Sequence, residues 1–283
     1  MKVLEPRIVP LPYEEGTYWR KGAKEGAESI LKEFRKIRDY SLSSKRYIQY
    51  EKSSLEYSTP ELSVYDKSKA MSQIEEHILE LISKGYSPII LGGDHSVTLP
   101  VIRALTSVYG KKSFSIIHLD AHSDTFEPID GYRYHHGAVF KNIIEEGLVD
   151  AREIFQFGIR GSCRLPGLEY ADTNNIPYVL LDDFQRAGCR LENYSLPKHK
   201  PYYVSIDIDS VDPAFAPGTG TPVPGGLTSS EALDIVRQLV NFDVIGLDIV
   251  EVAPIYDQTN ITSLLAAYML FEALGSIKFV ALS

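Results

Sequence analysis

The chain has 283 residues, 44% of them apolar, which supports a large core and excludes the composition of a disordered segment. Its formal net charge of −9 argues against nucleic-acid binding and favours small cationic ligands. Two cysteines, Cys163 and Cys189, provide neither a disulfide framework nor a thiolate metal cluster.

The N-terminal MKVLEPRIVPLPYEEG lacks the apolar core of a signal peptide. RIVPLPY (7–13) reads as a strand, and KEGAESILKEFRKI, from Lys24, as a helix. VYDKSKAMSQIEEHILELISKG (64–85) carries Met71, Ile74, Ile78, Leu79, Leu81 and Ile82 at helical spacing and stops at Gly85. SPIILGG (87–93) is a strand, SVTLPVIRALTSVYG (96–110) a helix, SFSIIHLD (113–120) a strand and GAVFKNIIEEG (137–147) a helix. IFQFGI (154–159), PYVLL (177–181) and YYVSIDID (202–209) are strands. SSEALDIVRQLV (229–240) is a helix with a capping start at Thr228, DVIGLDIVEV (243–252) is a strand, and TNITSLLAAYMLFEALGS (259–276) is the last helix. Its apolar stretch falls well short of the roughly 20 residues of a membrane span, so a soluble, cytoplasmic protein with no membrane partner is expected. The strands are continuously apolar, as in a parallel sheet covered on both faces. With no linker, repeat or break in composition, residues 1–283 read as one doubly wound α/β domain.

In such sheets ligands bind beyond the carboxyl ends of the strands. Four strand ends carry unusual polar groups there: Asp94 and His95; Asp120, His122 and Asp124; Asp207, Asp209 and Asp212; and Glu251. Alternate residues of an extended segment share a side, so Asp120, His122 and Asp124 can face one point, with Asp207 and Asp209 opposite. Two unit charges about 4 Å apart repel by about 4 kcal/mol at an effective dielectric near 20. Four clustered carboxylates therefore need protons or cations between them. Two divalent ions, with His95 and His122 completing an oxygen and nitrogen shell, suit Mn(II), Fe(II), Co(II) or Zn(II). The use of such a pair is to activate water. A lone Asp at a strand end is more often a helix cap. GGDHS, DAHSD and SIDIDSVDP together carry the metal reading. Asp94 and Asp212 read as loop braces, His77 and His199 as solvated, and His118 as structural, pointing away from the partners of His95. GTGTPVPGG lacks the ending of a phosphate loop and reads as a rigid turn, with Thr219 and Thr221 near the site.

GGDHS (92–96), DAHSD (120–124), SIDIDSVDPAFAPGTGTPVPGG (205–226) and EVAP (251–254), in this order, resemble the ureohydrolases, the family of arginases and agmatinases. GTYWRKGAKEGAESI (16–30) is similar to the family's opening GTxxRxGxxxGPxxI, with Ala27 in place of proline. The resemblance covers nearly the whole chain. It implies the three-layer α/β arginase fold, with a central parallel sheet of about eight strands, two Mn(II) ions, and hydrolysis of a guanidinium to urea and an amine. By motif position it implies His95, Asp120, His122, Asp124, Asp207 and Asp209 as metal ligands, with Asp124 and Asp207 as bridges. It further implies Asp124 as the carrier of the proton for the leaving nitrogen, Glu251 as the carboxylate gripping the guanidinium in a fork-like contact, and His136 as a proton shuttle. The neighbouring His135 is an alternative for that last role. A homotrimer or homohexamer is also implied.

For the substrate, the loop after DAHSD, TFEPIDGYRYHHG, has neither the Asn nor the Ser that arginases use on the amino-acid end of arginine. FGIRG (157–161) and PGTGTP match agmatinases. Glu127 and Asp130 suit a dication, whereas Arg133 in the same loop suits a carboxylate. Agmatine, cleaved to urea and putrescine, is the expected substrate. Arginine, guanidinobutyrate or formimidoylglutamate are alternatives within the class. A non-catalytic metal-binding relative and a mononuclear deacylase are alternatives outside it.

Overall fold

A computed structural model of the chain describes residues 1–48, 59–129 and 131–282. In chain order the elements are β1 (Lys2–Val3), β2 (Glu5–Pro10), α1 (Gly26–Phe34), β3 (Tyr40–Ser41), β4 (Arg46–Tyr47), α2 (Lys67–Ser83), β5 (Tyr86–Leu91), α3 (Thr98–Tyr109), β6 (Ser115–Leu119), α4 (Val139–Glu145), β7 (Ile154–Ile159), α5 (Leu165–Thr173), β8 (Tyr178–Leu180), α6 (Leu181–Arg186), β9 (Tyr202–Asp207), α7 (Ser229–Gln238), β10 (Asp243–Val250), α8 (Ile261–Ser276) and β11 (Lys278–Ala281). Among the described residues nine strands form one sheet, in which only the pairing of β1 with β11 is antiparallel. Its spatial order runs β2-β5-β10-β9-β6-β7-β8. β11 lies beside the first residues of β10, and β5 beside its last. This is the α/β fold with the parallel central sheet expected.

Burial on both faces explains the continuously apolar strands. Ile8, Ile89 and Leu91 point into one apolar cluster with Ile30, Phe34, Ile235 and Leu270 of α1, α7 and α8. Their neighbours Val9 and Ile90 point into a second, with Ile74, Ile102 and Phe140 of α2, α3 and α4. Helices therefore cover the sheet on both sides, giving three layers. No helix among the described residues is long and apolar enough to cross a membrane.

Local chemistry sets the helix starts. The Asp66 side chain accepts the Lys69 N–H at the head of α2. Thr228 and Glu231 form the expected reciprocal capping box at α7. Some elements leave no trace in the apolar pattern. α5 buries only Gly167 and Ala171, β11 is four residues long, and β1, β3 and β4 are two each. PYVLL is a strand only over Tyr178–Leu180, because Leu181 begins α6.

The strands carrying the four motifs, β5, β10, β9 and β6, are contiguous at the centre of the sheet. β5 and β6 follow one another in sequence yet flank β10 and β9 on opposite sides, so the chain switches direction there. The crevice at such a switch point is where open α/β sheets hold ligands.

Candidate metal centre

The turn after β5 is held tightly. Asp94 N–H donates to Tyr13 O at 2.9 Å. Gly93 lies so close to this strand end that a Cβ there would come within 1.7 Å of Tyr13 O. The Asp94 carboxylate accepts Ser96 N–H at 3.0 Å and Gly16 N–H at 2.7 Å, so it braces the turn as expected. Burial and the nearby Glu251 push its pKa up to about 6. Asp212 braces its own loop, accepting from the amides of Ala214, Gly225 and Gly226.

His95 is thereby aimed at the ends of β6 and β9. Its Nδ1 lies 3.3 Å from Asp120 Oδ2, 3.0 Å from Asp124 Oδ2 and 3.3 Å from Asp207 Oδ2. On the other side of Asp120, His122 Nδ1 lies 3.4 Å from Asp120 Oδ1 and 3.0 Å from Asp209 Oδ2. All six residues expected as ligands converge. All are buried except His122, whose side chain is 21% exposed and opens the cluster to solvent. The cluster is also reached differently from the extended geometry expected. Asp124 turns inward through a left-handed φ of 48°, and Glu251 through one of 63°. Strained backbone of this kind costs of order 1–3 kcal/mol and collects at functional sites.

Among the six, the carboxylate near both imidazoles is not Asp124 of the expected bridging pair. Asp120, with one oxygen toward each imidazole, is the carboxylate that spans the centre, whereas Asp124 lies on the His95 side. The reason is placement: Asp120 directly ends β6 between the two histidines, and the Asp124 turn carries its side chain toward His95 alone.

His118 also differs from expectation. It sits two residues before Asp120 on the same face, and its Nε2 lies 2.8 Å from Asp120 Oδ2. The Gln156 amide nitrogen donates to Ser123 O at 2.7 Å and reaches His118 Nδ1 at 3.1 Å. Nδ1 is therefore the acceptor, and Nε2–H donates to Asp120. Although His118 groups spatially with His95 and Asp120 as a potential ligand set, this tautomer has no lone pair to offer there. It orients Asp120 instead, much as outer residues orient metal ligands elsewhere.

The chemistry of the donor set fits a cation pair. The His95 Nδ1 is buried and makes no hydrogen bond, although three carboxylate oxygens surround it. None lies along the direction in which an N–H would point, which is the arrangement of donors around a shared ion. Without an ion the surroundings of the cluster favour protonated imidazoles. Burial alone would lower the pKa values of His95 and His122, yet the surrounding carboxylates raise both well above the ordinary imidazole value. Burial, with Asp209 and Asp120 adding to it, lifts Asp207 well above the carboxylate range. Burial works the same way on Asp120, but His118, His122 and His95 hold it well below.

Glu251 sits beside the cluster at the end of β10. Its Oε1 accepts His95 N–H at 2.8 Å and contacts His136 Nδ1 at 2.8 Å. That oxygen is saturated, so a two-oxygen grip on a guanidinium reduces to Oε2. His136 is further held by its N–H to Gly16 O at 3.1 Å and by the Tyr18 ring, 4.7 Å away edge-on, while its Nε2 is buried without a partner. Burial opposes protonation of His136, but Glu251 raises its pKa to about 9. His135 turns away, with Nε2 on Glu127 O at 2.9 Å, and burial lowers its pKa. The structure thus places His136 in the site and His135 at its wall.

Other expected residues divide. Thr221 Oγ1 donates to Asp209 Oδ2 at 3.0 Å, whereas the Thr219 hydroxyl is buried and touches no ligand. Glu127 is paired with Lys141 at 2.7 Å, and Arg133 with Asn142, Glu145 and Glu146, so neither offers a free charge to a substrate. Asp130 lies outside the described residues. His199 is exposed, as expected, and His77 is half-buried on α2.

Sequence reasoning missed Tyr18, Arg160, Ser205 and Asp248. Arg160 donates to the carbonyls of Asp209 at 2.7 Å, Ser210 at 3.2 Å and Val223 at 2.7 Å, pinning the loop that carries Asp209. Ser205 shares the face of Asp207 two residues on, and Asp248 is a lone charge inside the apolar run DVIGLDIV; both signals were readable. Nothing in the sequence marked Tyr18.

The chain matches the Arginase family over residues 5–275. It is 35% identical over 281 residues to the human mitochondrial guanidino acid hydrolase, covering 98% of this chain and 79% of that protein. It is 36% identical over 274 residues to an agmatinase of Neisseria meningitidis, covering 94% and 85%. The solved proclavaminate amidino hydrolase of Streptomyces clavuligerus superposes with a TM-score of 0.84 at 34% identity, over 98% of this chain and 92% of that one. Matching motifs, a shared fold and similarity along nearly its full length make this chain a member of the arginase family, the metal-dependent ureohydrolases.

Proposed function

We propose that the chain hydrolyses agmatine to urea and putrescine, with two Mn(II) ions held by His95, Asp120, His122, Asp124, Asp207 and Asp209. The supporting observation is the buried, hydrogen-bond-free His95 Nδ1 among three carboxylate oxygens at 3.0–3.3 Å. A sulfur-free set of carboxylates and imidazoles suits Mn(II). When bound, such a pair supplies a water acidic enough to be a nucleophile near neutral pH.

The chain's own groups do the rest. Glu251 Oε2 accepts the guanidinium N–H groups in a charge-assisted contact and fixes the carbon over the cluster. Asp124 Oδ2, at the inner wall, takes a proton from the attacking water and delivers it to the departing nitrogen. His136 Nε2, buried without a partner beside the Tyr18 ring, carries away the second proton, the one the remaining hydroxyl loses as the C=O of urea forms.

Agmatine is favoured by the protein's negative charge, by the missing Asn and Ser after DAHSD, and by relatives named agmatinase. One observation favours a guanidino acid instead. Arg164, exposed at the rim, lines a small cavity with Phe126, Glu127 and Pro128, and its charge acts on Tyr18 and His135. It pairs with no carboxylate among the described residues. Urea release from agmatine, arginine and 4-guanidinobutyrate, with added Mn(II) and with chelator, decides. Turnover of the acid alone would overturn agmatine, and no urea from any guanidine would overturn the hydrolase reading.

A further inference from the structure

Asp248 takes no part in the chemistry above, yet it is a fully buried acid at the heart of the sheet. A carboxylate accepts hydrogen bonds and donates none. Its Oδ2 accepts from Thr98 Oγ1 and from Tyr203 OH, both at 2.7 Å. Its Oδ1 accepts from Ser205 Oγ at 2.7 Å and from Ile206 N–H at 3.2 Å. No cationic side chain pairs with it among the described residues.

The polarity of the next bond follows. Ser205 has one hydroxyl hydrogen, and Asp248 takes it. The Ser205 oxygen then meets His95 Nε2, 2.9 Å away, with lone pairs only. Nε2 must carry the hydrogen and donate it. In a neutral imidazole the lone pair is then on Nδ1, the atom that faces Asp120, Asp124 and Asp207.

We propose that Asp248, acting through Ser205, is a positioning residue that fixes the ring orientation and tautomer of His95, so that Nδ1 is presented to a metal ion. The inference rests on the metal reading of the centre. It assigns the buried charge a function: Asp248 Oδ1 takes the Ser205 hydrogen, and the Ser205 oxygen so fixed orients one ligand. Among the described residues no such chain stands behind His122, whose side chain is 21% exposed.

The test is competitive titration of Mn(II) into chelator-treated protein, with thermal unfolding measured beside it. Ser205→Ala cuts the chain while leaving three of the four bonds of Asp248. It is expected to weaken Mn(II) binding about 10- to 100-fold, the usual effect of losing an outer partner of a ligand. Thr98→Val removes a different bond of Asp248 and separates structure from positioning. It should lower the unfolding temperature and leave Mn(II) affinity within twofold of wild type. Asp248→Asn keeps an oxygen on Ser205 and Ile206, because the Ile206 N–H can only donate and so faces the amide oxygen and not its NH2. It should therefore lose less affinity than Ser205→Ala, and the double variant should bind no worse than Ser205→Ala alone. In the zinc-loaded protein, 15N NMR of labelled histidine should show a slowly exchanging His95 Nε2–H in the wild type and not in Ser205→Ala. Mn(II) binding by Ser205→Ala within twofold of wild type overturns the inference, as does an equal loss in Thr98→Val. A wild-type chain that binds no Mn(II) removes the metal reading, and this inference with it.

Discussion

Loading the centre with metal should expel protons. In the metal-free chain the carboxylates hold the pKa values of His95 and His122 well above the ordinary imidazole value, and burial with the neighbouring aspartates holds Asp207 well above the carboxylate range. These shifts favour the protonated form of both imidazoles and of Asp207. Coordination needs a lone pair on each Nδ1 and an ionised carboxylate. Two imidazole protons must therefore leave, and the Asp207 proton is a third. Each released proton makes log K rise by one per pH unit. Going from pH 7 to 6 should weaken binding of the ion pair by about a hundredfold to a thousandfold, or about 3–4 kcal/mol at 1.36 kcal/mol per proton. Calorimetric titration of Mn(II) at pH 7, in buffers of low and high ionisation enthalpy, counts the protons directly. Release of fewer than one, or an affinity flat from pH 6 to 8, would refute the picture of imidazoles poised as protonated ligands among carboxylates.

Exchange of Asp124 for Asn should leave KM within a few-fold and reduce kcat by several orders of magnitude. Exchange of Glu251 for Gln should raise KM about tenfold to a hundredfold, the worth of a charge-assisted hydrogen bond, with Mn(II) content unchanged; wild-type kinetics in both variants would contradict these roles. The His136–Glu251 contact raises the histidine above its unfolded value, to about 9. It therefore adds stability below pH 6.5 that is lost as the pH rises through 9, at most about 3 kcal/mol. Urea unfolding of metal-free protein across that window should show the decline in wild type and not in His136→Ala, and equal slopes would count against the ion pair. Arg160→Met should strip the donor from three carbonyls, those of buried Asp209 and Ser210 and of half-buried Val223, and destabilise the fold by about 2–4 kcal/mol. An unfolding temperature equal to wild type would show that the loop needs no clamp.

The legible parts of this fold are those where one local signal suffices. Continuous apolar runs marked β5, β6, β9 and β10 because both faces are covered, and the capping box marked the start of α7. α5 escaped notice because it buries almost nothing, and β11 because four residues have no period. The ligands were legible because acids and imidazoles are costly at strand ends unless something holds them there. Which carboxylate lies near both imidazoles was not legible. That depends on the left-handed turn at Asp124, which alternation along an extended chain does not contain.

His118 and Asp248 show a different kind of failure. Forward from Asp120, the rule that alternate residues share a face leads to His122 and Asp124. Applied backward it places His118 with Asp120, and Ser205 with Asp207. The same rule thus finds both the ligands and the residues one bond behind them. A buried polar group in an apolar strand must find a partner, and near a cluster of ligands the nearest partner is a ligand. His118 donates to Asp120, and Asp248 holds His95 through Ser205. The centre is therefore assembled by the strands themselves and not only by the loops beyond them, with acceptor and donor polarity decided inside the sheet before a metal ion arrives.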